Sequence, residues 1–337
     1  MHRSGNLFER VVAFDNLWLA AHKAWRGKKD KARIAHFYFN LELELLALQE
    51  ELVTGHYQPR PYAIFEVTDP KRREIAAADF RDRVVHHALI NILDPLFEKR
   101  LIHHTYACRV GKGSHAAVQY ARRLACHHPY FLKCDVRKYF QSVDHAILHT
   151  LLARIIKDQR VLDLLARIIT HPVSGHASGK GIPIGNLTSQ HFANLYLGKM
   201  DHFLKEHLRV SGYLRYMDDF LCLGPNLSFL HGVHHEVRSF LATHLALNLK
   251  EEITLLSPVN EGIPFLGFRI YPETIRLQRR GLSRFRRNTQ ARESAFRQGI
   301  INEQLLSRSV GSMIGYMVHA DTLAMRRQWF AAVVDLG

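Results

Sequence analysis

Two adjacent carboxylates, Asp218 and Asp219, stand in the middle of a hydrophobic stretch that runs from Gly212 to Gly224. Apolar and aromatic residues alternate on both sides of them, which predicts two short strands joined by a tight turn with the aspartates at its tip. Neighbouring carboxylates repel each other, so such a pair is typical of either a metal site or a solvated turn. The stretch alone leaves both interpretations open.

A third carboxylate favours the metal site. The short apolar run Phe131-Leu-Lys-Cys-Asp135-Val repeats the arrangement of a strand with an aspartate at its end. Three carboxylates on neighbouring strand ends can hold two Mg2+ ions roughly 3.5–4 Å apart, with Mn2+ as a substitute. That arrangement catalyses phosphoryl and nucleotidyl transfer. We therefore predict that Asp135, Asp218 and Asp219 are both the catalytic residues and the metal ligands.

The bulk composition points to a polyanionic partner. The chain has 337 residues and a net charge of +15, with a sequence pI of about 9.8. A basic excess of this size favours nucleic acid, although a generally basic soluble protein has the same composition. The sequence contains neither a long apolar run nor a signal-peptide pattern, so we expect a cytoplasmic protein with no membrane contact.

Cysteine and histidine give little support for a structural metal site. The four cysteines form no Cys-x-x-Cys pair, which indicates reduced, buried thiols. Several histidines occur as adjacent doublets, and adjacent residues on a helix point to different faces, so a shared metal ion is not expected.

The first half of the chain predicts helices around one hairpin. Residues 1–57 have helical periodicity, with Asp15 as a candidate cap and Gly55 as the end of the last helix. Tyr62–Val67 and Glu74–Ala77 are predicted strands joined by a basic turn. A helix follows with its cap near Asp79, and we expect Ser114 to cap the next one.

The second half predicts an α+β unit and a basic tail. Helices are expected around 147–155, 161–169, 192–203 and 229–245, and a strand at Ile253–Leu256. Residues 276–337 contain eleven arginines and no lysine, against four acidic residues. This tail is predicted to be a helical module that lies along a nucleic-acid backbone, although a solvated surface would explain some of the arginines.

The order of the segments resembles the reverse transcriptase family. Upstream, 81–89 and 106–114 are similar to finger segments of bacterial members. The downstream motifs that carry the resemblance are Asp135-Val-Arg-Lys-Tyr-Phe140, Gly181-Ile-Pro-Ile-Gly185-Asn-Leu-Thr-Ser189-Gln190, Tyr216-Met-Asp-Asp219 and Phe265-Leu-Gly-Phe268. The resemblance covers about 55–270.

The loop before the long helix indicates which subclass of reverse transcriptases the chain resembles. Most reverse transcriptases have Gln before the glycine and Ser-Pro after it, whereas this chain has Ile184-Gly185 and Ser189-Gln190. That pattern is similar to reverse transcriptases of diversity-generating retroelements, which are found in phages and bacteria, so the resemblance implies a bacterial or phage-infected bacterial cell. The resemblance implies error-prone copying of a template RNA, with changes at adenines, into cDNA that diversifies a target gene by mutagenic retrohoming. It also implies a small basic helical accessory protein, the accessory variability determinant, as a partner.

The resemblance also implies roles for individual residues. Phe140 would crowd a ribose 2′-hydroxyl, Arg73 would grip the triphosphate with Lys71 and Arg72 as rivals, and Lys250 would protonate pyrophosphate. The expected dNTP-binding residues are Arg73, Val136, Phe140, Ile184, Gly185, Gln190 and Lys250. The expected template- and primer-binding residues are Arg109, Tyr216, Met217, Leu266 and Gly267.

We expect an α+β right-hand polymerase that binds template RNA, a cDNA or primer strand and dNTPs. Its predicted parts are an N-terminal helical segment (1–57), fingers (58–130 with part of 146–190), a ferredoxin-like palm (131–270) and a basic helical thumb (271–337). The alternatives are a retron, group II intron-like or phage-defence reverse transcriptase, a non-catalytic RNA-binding scaffold, and an RNA-dependent RNA polymerase.

Overall fold

The computed structural model describes residues 3–26, 32–68 and 72–334. Its N-terminal part is helical, as predicted. The helices are α1 (Phe8–Val12), α2 (Phe14–Trp25), α3 (Ala32–Phe39), α4 (Leu41–Val53) and α5 (Phe80–Glu98). Asp79 caps α5 by accepting a hydrogen bond from the Arg81 N–H, as expected. Asp15 does not cap α2, because α1 ends at Val12 and leaves Ala13 as the only residue between the two helices.

A separate hairpin follows the N-terminal helices. It consists of β1 (Ala63–Val67) and β2 (Arg73–Ala77), which pair antiparallel. The predicted basic turn between them falls partly on 69–71, which lie outside the described residues. The N–H of Ala76 donates to the carbonyl of Ile184, so β2 lies against the glycine-rich loop that precedes the long helix.

The central sheet has four antiparallel strands in the order β4-β5-β3-β6. The strands are β3 (Tyr130–Asp135), β4 (Gly212–Tyr216), β5 (Asp219–Gly224) and β6 (Leu255–Pro258). Our prediction placed the start of β6 two residues too early. The Lys250 N–H bonds to the Asp135 carbonyl and a 3-10 turn follows, so pairing with β3 begins only at Leu255.

Helices connect and cover the sheet. They are α6 (Ser114–Ala125), α7 (Tyr139–Ser142), α8 (His145–Ala153), α9 (Gln159–Thr170), α10 (Leu187–His202) and α11 (Leu227–Leu245). Ser114 is not the cap of α6. Gly113 takes that position, with φ +115° and its N–H bonded to the Tyr106 carbonyl.

Two hydrophobic cores lie on opposite faces of the sheet. Cys134, Phe220 and Cys222 belong to the core that contains α10 and α11, while Phe131 and Leu221 belong to the core that contains α6. Alternate residues of each strand therefore face opposite sides. Asp135 lies four residues after Phe131 on β3, so its side chain is on the same face of the sheet as Phe131, the face that α6 covers.

The C-terminal part combines a small sheet with helices. It contains β7 (Ile263–Phe265), β8 (Phe268–Ile270), β9 (Ile275–Leu277), α12 (Arg279–Arg297), α13 (Glu303–Met317) and α14 (Leu323–Val334). The predicted helical tail is thus helical from Arg279 on, and Arg276 belongs to a strand. Among the described residues, no helix is long and apolar enough to cross a bilayer.

Candidate active site

The register of the central sheet brings the three aspartates to one end. Asp135 is the direct partner of Asp219 across β3 and β5, and Tyr216 is the partner of Asp219 across β4 and β5. Directly opposed residues have Cβ atoms about 4.5–5.5 Å apart. Met217 and Asp218 form the two-residue turn between β4 and β5. The sheet therefore places Asp218 beside the opposed pair.

The turn itself has an unusual backbone. The backbone of Met217 has φ +58°, in the left-handed region that residues other than glycine seldom adopt. Such a conformation costs on the order of 1–3 kcal/mol and is retained only where neighbouring contacts enforce it. The carbonyl of Met217 accepts a hydrogen bond of 2.8 Å from Nη1 of Arg215, which is one such contact.

Burial makes the carboxylates hard to ionise. Burial, followed by the charge of Asp135, raises the pKa of Asp218 to about 6. Burial also raises the pKa of Asp219 to about 7, with the Lys133 ammonium opposing the rise and Asp135 adding to it. Nζ of Lys133 lies 3.4 Å from Oδ2 of Asp219, and Oδ1 of Asp219 is buried with no hydrogen-bond partner. Both pKa values are therefore raised even though the charges of Lys133 and Arg73 oppose the rise.

These residues fit a divalent cation by their chemistry. Among the described residues, no group of three or more His, Cys, Asp or Glu is arranged to hold a metal ion as it stands. The orphaned Oδ1 of Asp219 is nevertheless a free oxygen ligand, and carboxylate oxygens are what Mg2+ and Mn2+ bind. A cation would supply the missing counter-charge.

A buried polar network supports the catalytic turn from the core. Arg215 and Asp201 are both fully buried, with Nε–Oδ1 and Nη2–Oδ2 distances of 2.7 and 2.6 Å. Asp201 also accepts hydrogen bonds from the hydroxyls of Tyr213 and Thr105, and Arg215 donates to the carbonyl of Asn194. The network therefore links α10 to β4 and to the turn of the hairpin.

Our sequence reasoning missed this network, although one signal was present. Arg215 stands inside the apolar strand Gly212–Tyr216, and a buried arginine requires an acidic partner. The sequence does not reveal that the partner is Asp201, because that choice depends on how α10 approaches β4.

The loop residues expected to contact the nucleotide, Ile184 and Gly185, directly precede α10, and the loop is hydrogen-bonded to β2. The Ile182 N–H donates to the Phe140 carbonyl at 2.8 Å, which ties the loop to the segment after Asp135. Gly185 has φ +112°, and a Cβ there would lie 2.7 Å from Cγ2 of Ile75. Glycine is therefore required at this position.

The other residues predicted to bind the nucleotide, Val136, Gln190 and Lys250, lie in three different environments. Val136 directly follows Asp135, bridges to Leu249 and is buried in the core that contains α10 and α11. Gln190 is half-buried in the first turn of α10. Lys250 lies beside Asp135 through its backbone N–H, at 2.8 Å from the Asp135 carbonyl oxygen.

The three basic residues that were candidates for binding the triphosphate, Lys71, Arg72 and Arg73, differ in their surroundings. Lys71 lies outside the described residues. Arg72 makes an ion pair with Glu66 on the same hairpin, Nη2 to Oε1 2.7 Å, in a fully exposed position. Arg73 lies close enough to Asp218 for its charge to oppose the rise in that carboxyl's pKa. Of the two described arginines, Arg73 is the one whose charge acts on Asp218.

Arg109 is not brought to the site as a free cation. Its side chain is 7% exposed and pairs with Glu98, Nη2 to Oε1 2.5 Å. Nη1 donates to the carbonyls of Ile102 and Thr105 at 2.6 and 2.8 Å. These bonds hold the loop after α5 in place, so we no longer assign Arg109 to template or primer binding.

The predicted primer-contact turn meets the C-terminal helices. Leu266 and Gly267 have φ +48° and +86° and join β7 to β8. Positive φ at both central residues is the pattern of a type I′ turn. The Tyr316 hydroxyl of α13 donates to the Leu266 carbonyl at 3.3 Å, and a Cβ on Gly267 would collide with the same hydroxyl. The turn is therefore fixed against α13.

Comparison with known proteins covers the segment of the chain that contains this site. The family model described as "Reverse transcriptase (RNA-dependent DNA polymerase)" matches residues 68–270, which include the three aspartates. Protein YkfC of Escherichia coli is 27% identical over 277 residues, covering 68% of this chain and 72% of that protein. Group II intron-encoded protein LtrA of Lactococcus lactis subsp. cremoris is 24% identical over 200 residues, covering 57% and 33%.

Two further matches are with an intron maturase and with a solved telomerase structure. Nuclear intron maturase 1, mitochondrial, of Arabidopsis thaliana is 30% identical over 111 residues, or 31% of this chain and 16% of that protein. The solved structure of telomerase from Candida albicans has a TM-score of 0.48 at 11% identity, covering 69% of this chain and 51% of that one. The chain thus spans a third or less of these two intron proteins and about half of the telomerase chain.

Proposed function

The chain belongs to the reverse transcriptase family, and from this premise we propose that it copies RNA into DNA by two-metal nucleotidyl transfer at Asp135, Asp218 and Asp219. The prediction of an RNA-directed DNA polymerase is confirmed by the family match over 68–270. The observation that carries the choice of residues is the sheet register, which opposes Asp135 to Asp219 next to the turn that holds Asp218.

In the proposed reaction, metal ions activate the primer and side chains bind the ions and the triphosphate. Two Mg2+ ions, with Mn2+ as a substitute, would lower the pKa of the primer 3′-hydroxyl and neutralise charge on the leaving pyrophosphate. Asp135, Asp218 and Asp219 would hold them at the end of the sheet. Arg73 binds the triphosphate by charge-assisted hydrogen bonds, which its position beside Asp218 permits.

Two further residues have proposed roles at the nucleotide. Phe140 crowds the 2′-hydroxyl of a ribonucleotide from the segment that Ile182 holds by its 2.8 Å hydrogen bond. Lys250, whose backbone bonds to Asp135, protonates the leaving pyrophosphate. The proposed primer-contact segment is the type I′ turn at Leu266 and Gly267, and Tyr216 and Met217 contact the primer end from the catalytic hairpin.

The proposed architecture is that of a right hand. The β1–β2 hairpin and the helices around it are the fingers, and the β3–β6 sheet is the palm. The strand order β4-β5-β3-β6, with helices between β3 and β4 and between β5 and β6, supports the proposal of a ferredoxin-like palm. The arginine-rich helices α12–α14 are the thumb, and their charge supports contact with a phosphate backbone.

Within the family, the loop favours a diversity-generating retroelement. Ile184 replaces the usual glutamine and cannot donate a hydrogen bond to the nucleotide or its surroundings, which weakens selection between right and wrong pairs by roughly 1–3 kcal/mol. Ile184→Gln is expected to lower misincorporation opposite template adenine. An unchanged error rate in cDNA sequenced from an adenine-rich RNA would refute this role. A small basic helical accessory protein is the proposed partner.

The similar proteins favour a second candidate, a group II intron-like reverse transcriptase. LtrA and the intron maturase are 24% and 30% identical over their matched segments. Fidelity separates the two candidates, because only the retroelement enzyme is expected to concentrate errors at adenines. A template repeat and its variable copy beside the gene would support the retroelement, and flanking intron RNA would support the second candidate.

Primer extension tests the proposed activity. Purified protein, an RNA template, a DNA primer, dNTPs and Mg2+ should give extended DNA, and EDTA should abolish it. Asp218→Ala should remove the activity, whereas Asp163→Ala, an exposed aspartate of α9, should not. RNA binding without extension by the unmodified protein would support a scaffold. Equal use of rNTPs and dNTPs would support an RNA polymerase.

A further inference from the structure

A lysine sits among the catalytic carboxylates because of the strand register. Lys133 precedes Asp135 by two residues on β3, so both side chains point to the same face of the sheet. Asp135 opposes Asp219, which makes Lys133 the diagonal neighbour of Asp219. Nζ of Lys133 lies 3.4 Å from Oδ2 of Asp219, and the two side chains are 17% and 18% exposed.

This ion pair differs from the surface ion pairs of the chain. Exposed pairs such as Arg72–Glu66 are screened by water and stabilise little. The Lys133–Asp219 pair is mostly shielded, and it lies where Asp135 and Asp218 add further negative charge. It engages only one oxygen of Asp219, since Oδ1 has no hydrogen-bond partner. Lys133 therefore neutralises the site only in part.

We propose that Lys133 is an internal counter-cation, a positioning residue that holds Asp219 in the metal-free enzyme and competes with the divalent ion for that carboxylate. The inference rests on the proposed function, because it takes Asp219 to be a metal ligand. The ammonium and a metal ion are both attracted to the same oxygens. Binding of the ion must therefore displace or weaken the contact between Nζ and Oδ2.

The competition has two opposite consequences. Without metal, the ammonium reduces repulsion between the opposed Asp135 and Asp219 and so stabilises the end of the sheet. With metal, the same positive charge lowers the affinity of the site. A purely structural lysine would show only the first effect, since its loss would disturb the carboxylates and weaken metal binding. Tighter metal binding on removal of Lys133 is thus the distinguishing result.

Mn2+ binding measures this directly. The full chain is stripped of metal and titrated with Mn2+ in the absence of nucleic acid and nucleotide, with the free ion followed by electron paramagnetic resonance. Lys133→Met is expected to bind Mn2+ about tenfold more tightly than the unmodified protein, because one adjacent charge shifts cation binding by this order. Its melting temperature in EDTA should fall, and Mn2+ should raise that temperature more than it does for the unmodified chain.

Two variants control the measurement. Lys157→Met removes the same charge from an exposed lysine next to α8 and should leave Mn2+ affinity unchanged. Lys133→Arg keeps the positive charge and should stay within about threefold of the unmodified protein. Adding Asp219→Asn to Lys133→Met should abolish the gain, because the carboxylate for which the two cations compete is then absent.

The outcomes separate this inference from the proposed function. Unchanged or weaker Mn2+ binding by Lys133→Met would overturn the inference, and weaker primer–template binding with unchanged Mn2+ affinity would assign Lys133 to nucleic-acid contact instead. The proposed function is tested separately by the unmodified protein, which should bind Mn2+ and extend a primer, and by Asp218→Ala, which should not extend it. A protein that binds Mn2+ and extends primers while Lys133→Met gives no gain refutes the inference alone.

Discussion

Removing the Arg215 guanidinium should destabilise the protein more than any exposed ion-pair substitution. Arg215 is completely buried and makes two short bonds to Asp201, at 2.6 and 2.7 Å. Arg215→Met leaves the Asp201 carboxylate buried and uncompensated, which costs roughly 3–5 kcal/mol. Total stabilities are about 5–15 kcal/mol, so this is a large share. The melting temperature should fall on the order of 10 °C.

Thermal unfolding followed by circular dichroism measures this effect. Arg238→Met is the matched control, because Arg238 is 68% exposed and lies 3.7 Å from Glu251, so its loss should shift the melting temperature by about 2 °C or less. Asp201→Asn added to Arg215→Met should recover part of the loss, since the uncompensated charge is removed while the amide oxygen can still accept a hydrogen bond from one of the two hydroxyls, Tyr213 or Thr105. Equal melting temperatures for Arg215→Met and Arg238→Met would refute the reasoning.

Three further outcomes follow from the site. Gly185→Ala should lower the melting temperature and raise KM for dNTPs, because its Cβ would meet Ile75 at 2.7 Å and its φ is +112°; wild-type kinetics would contradict this. In metal-free protein the raised pKa values of Asp218 and Asp219, about 6 and 7, mean that the native state binds more protons than the unfolded chain above about pH 4. Their contribution to stability therefore falls as pH rises from about 4 to 7, and converting both to Asn should flatten that part of a melting-temperature profile. Phe140→Ala should raise rNTP incorporation at least tenfold in primer extension, and unchanged sugar selection would remove Phe140 from this role.

Local patterns predicted much of the site because its parts are short and regular. Alternation of apolar residues identified the strands that carry Asp135 and Asp219, and a two-residue reversal between Tyr216 and Asp219 places Asp218 in the turn. The same alternation puts Lys133 on the face of Asp135, a consequence that our sequence reasoning did not draw. The strand pairing that opposes Asp135 to Asp219 joins residues far apart in sequence, and only the fold shows it.

The surroundings of Arg109 and the first residue of α6 depend on contacts that local sequence patterns do not reveal. Arg109 looks like a free cation in a basic glycine-bearing loop, yet Glu98 from the end of α5 neutralises it. Ser114 has the preferred side chain for a helix cap, but the bond from the Gly113 N–H to Tyr106 fixes the boundary one residue earlier. In each case a partner elsewhere in the same part of the chain, 11 residues away for Arg109 and seven for Gly113, outweighs the preference of the residue itself.

Crystals grown with primer–template, dNTP and Mn2+ would test the central claim most directly, through anomalous scattering. The account predicts two Mn2+ peaks about 3.5–4 Å apart, bounded by Asp135, Asp218 and Asp219. Peaks at another place in the chain, or a bound nucleotide whose metal ions do not contact these three carboxylates, would contradict it.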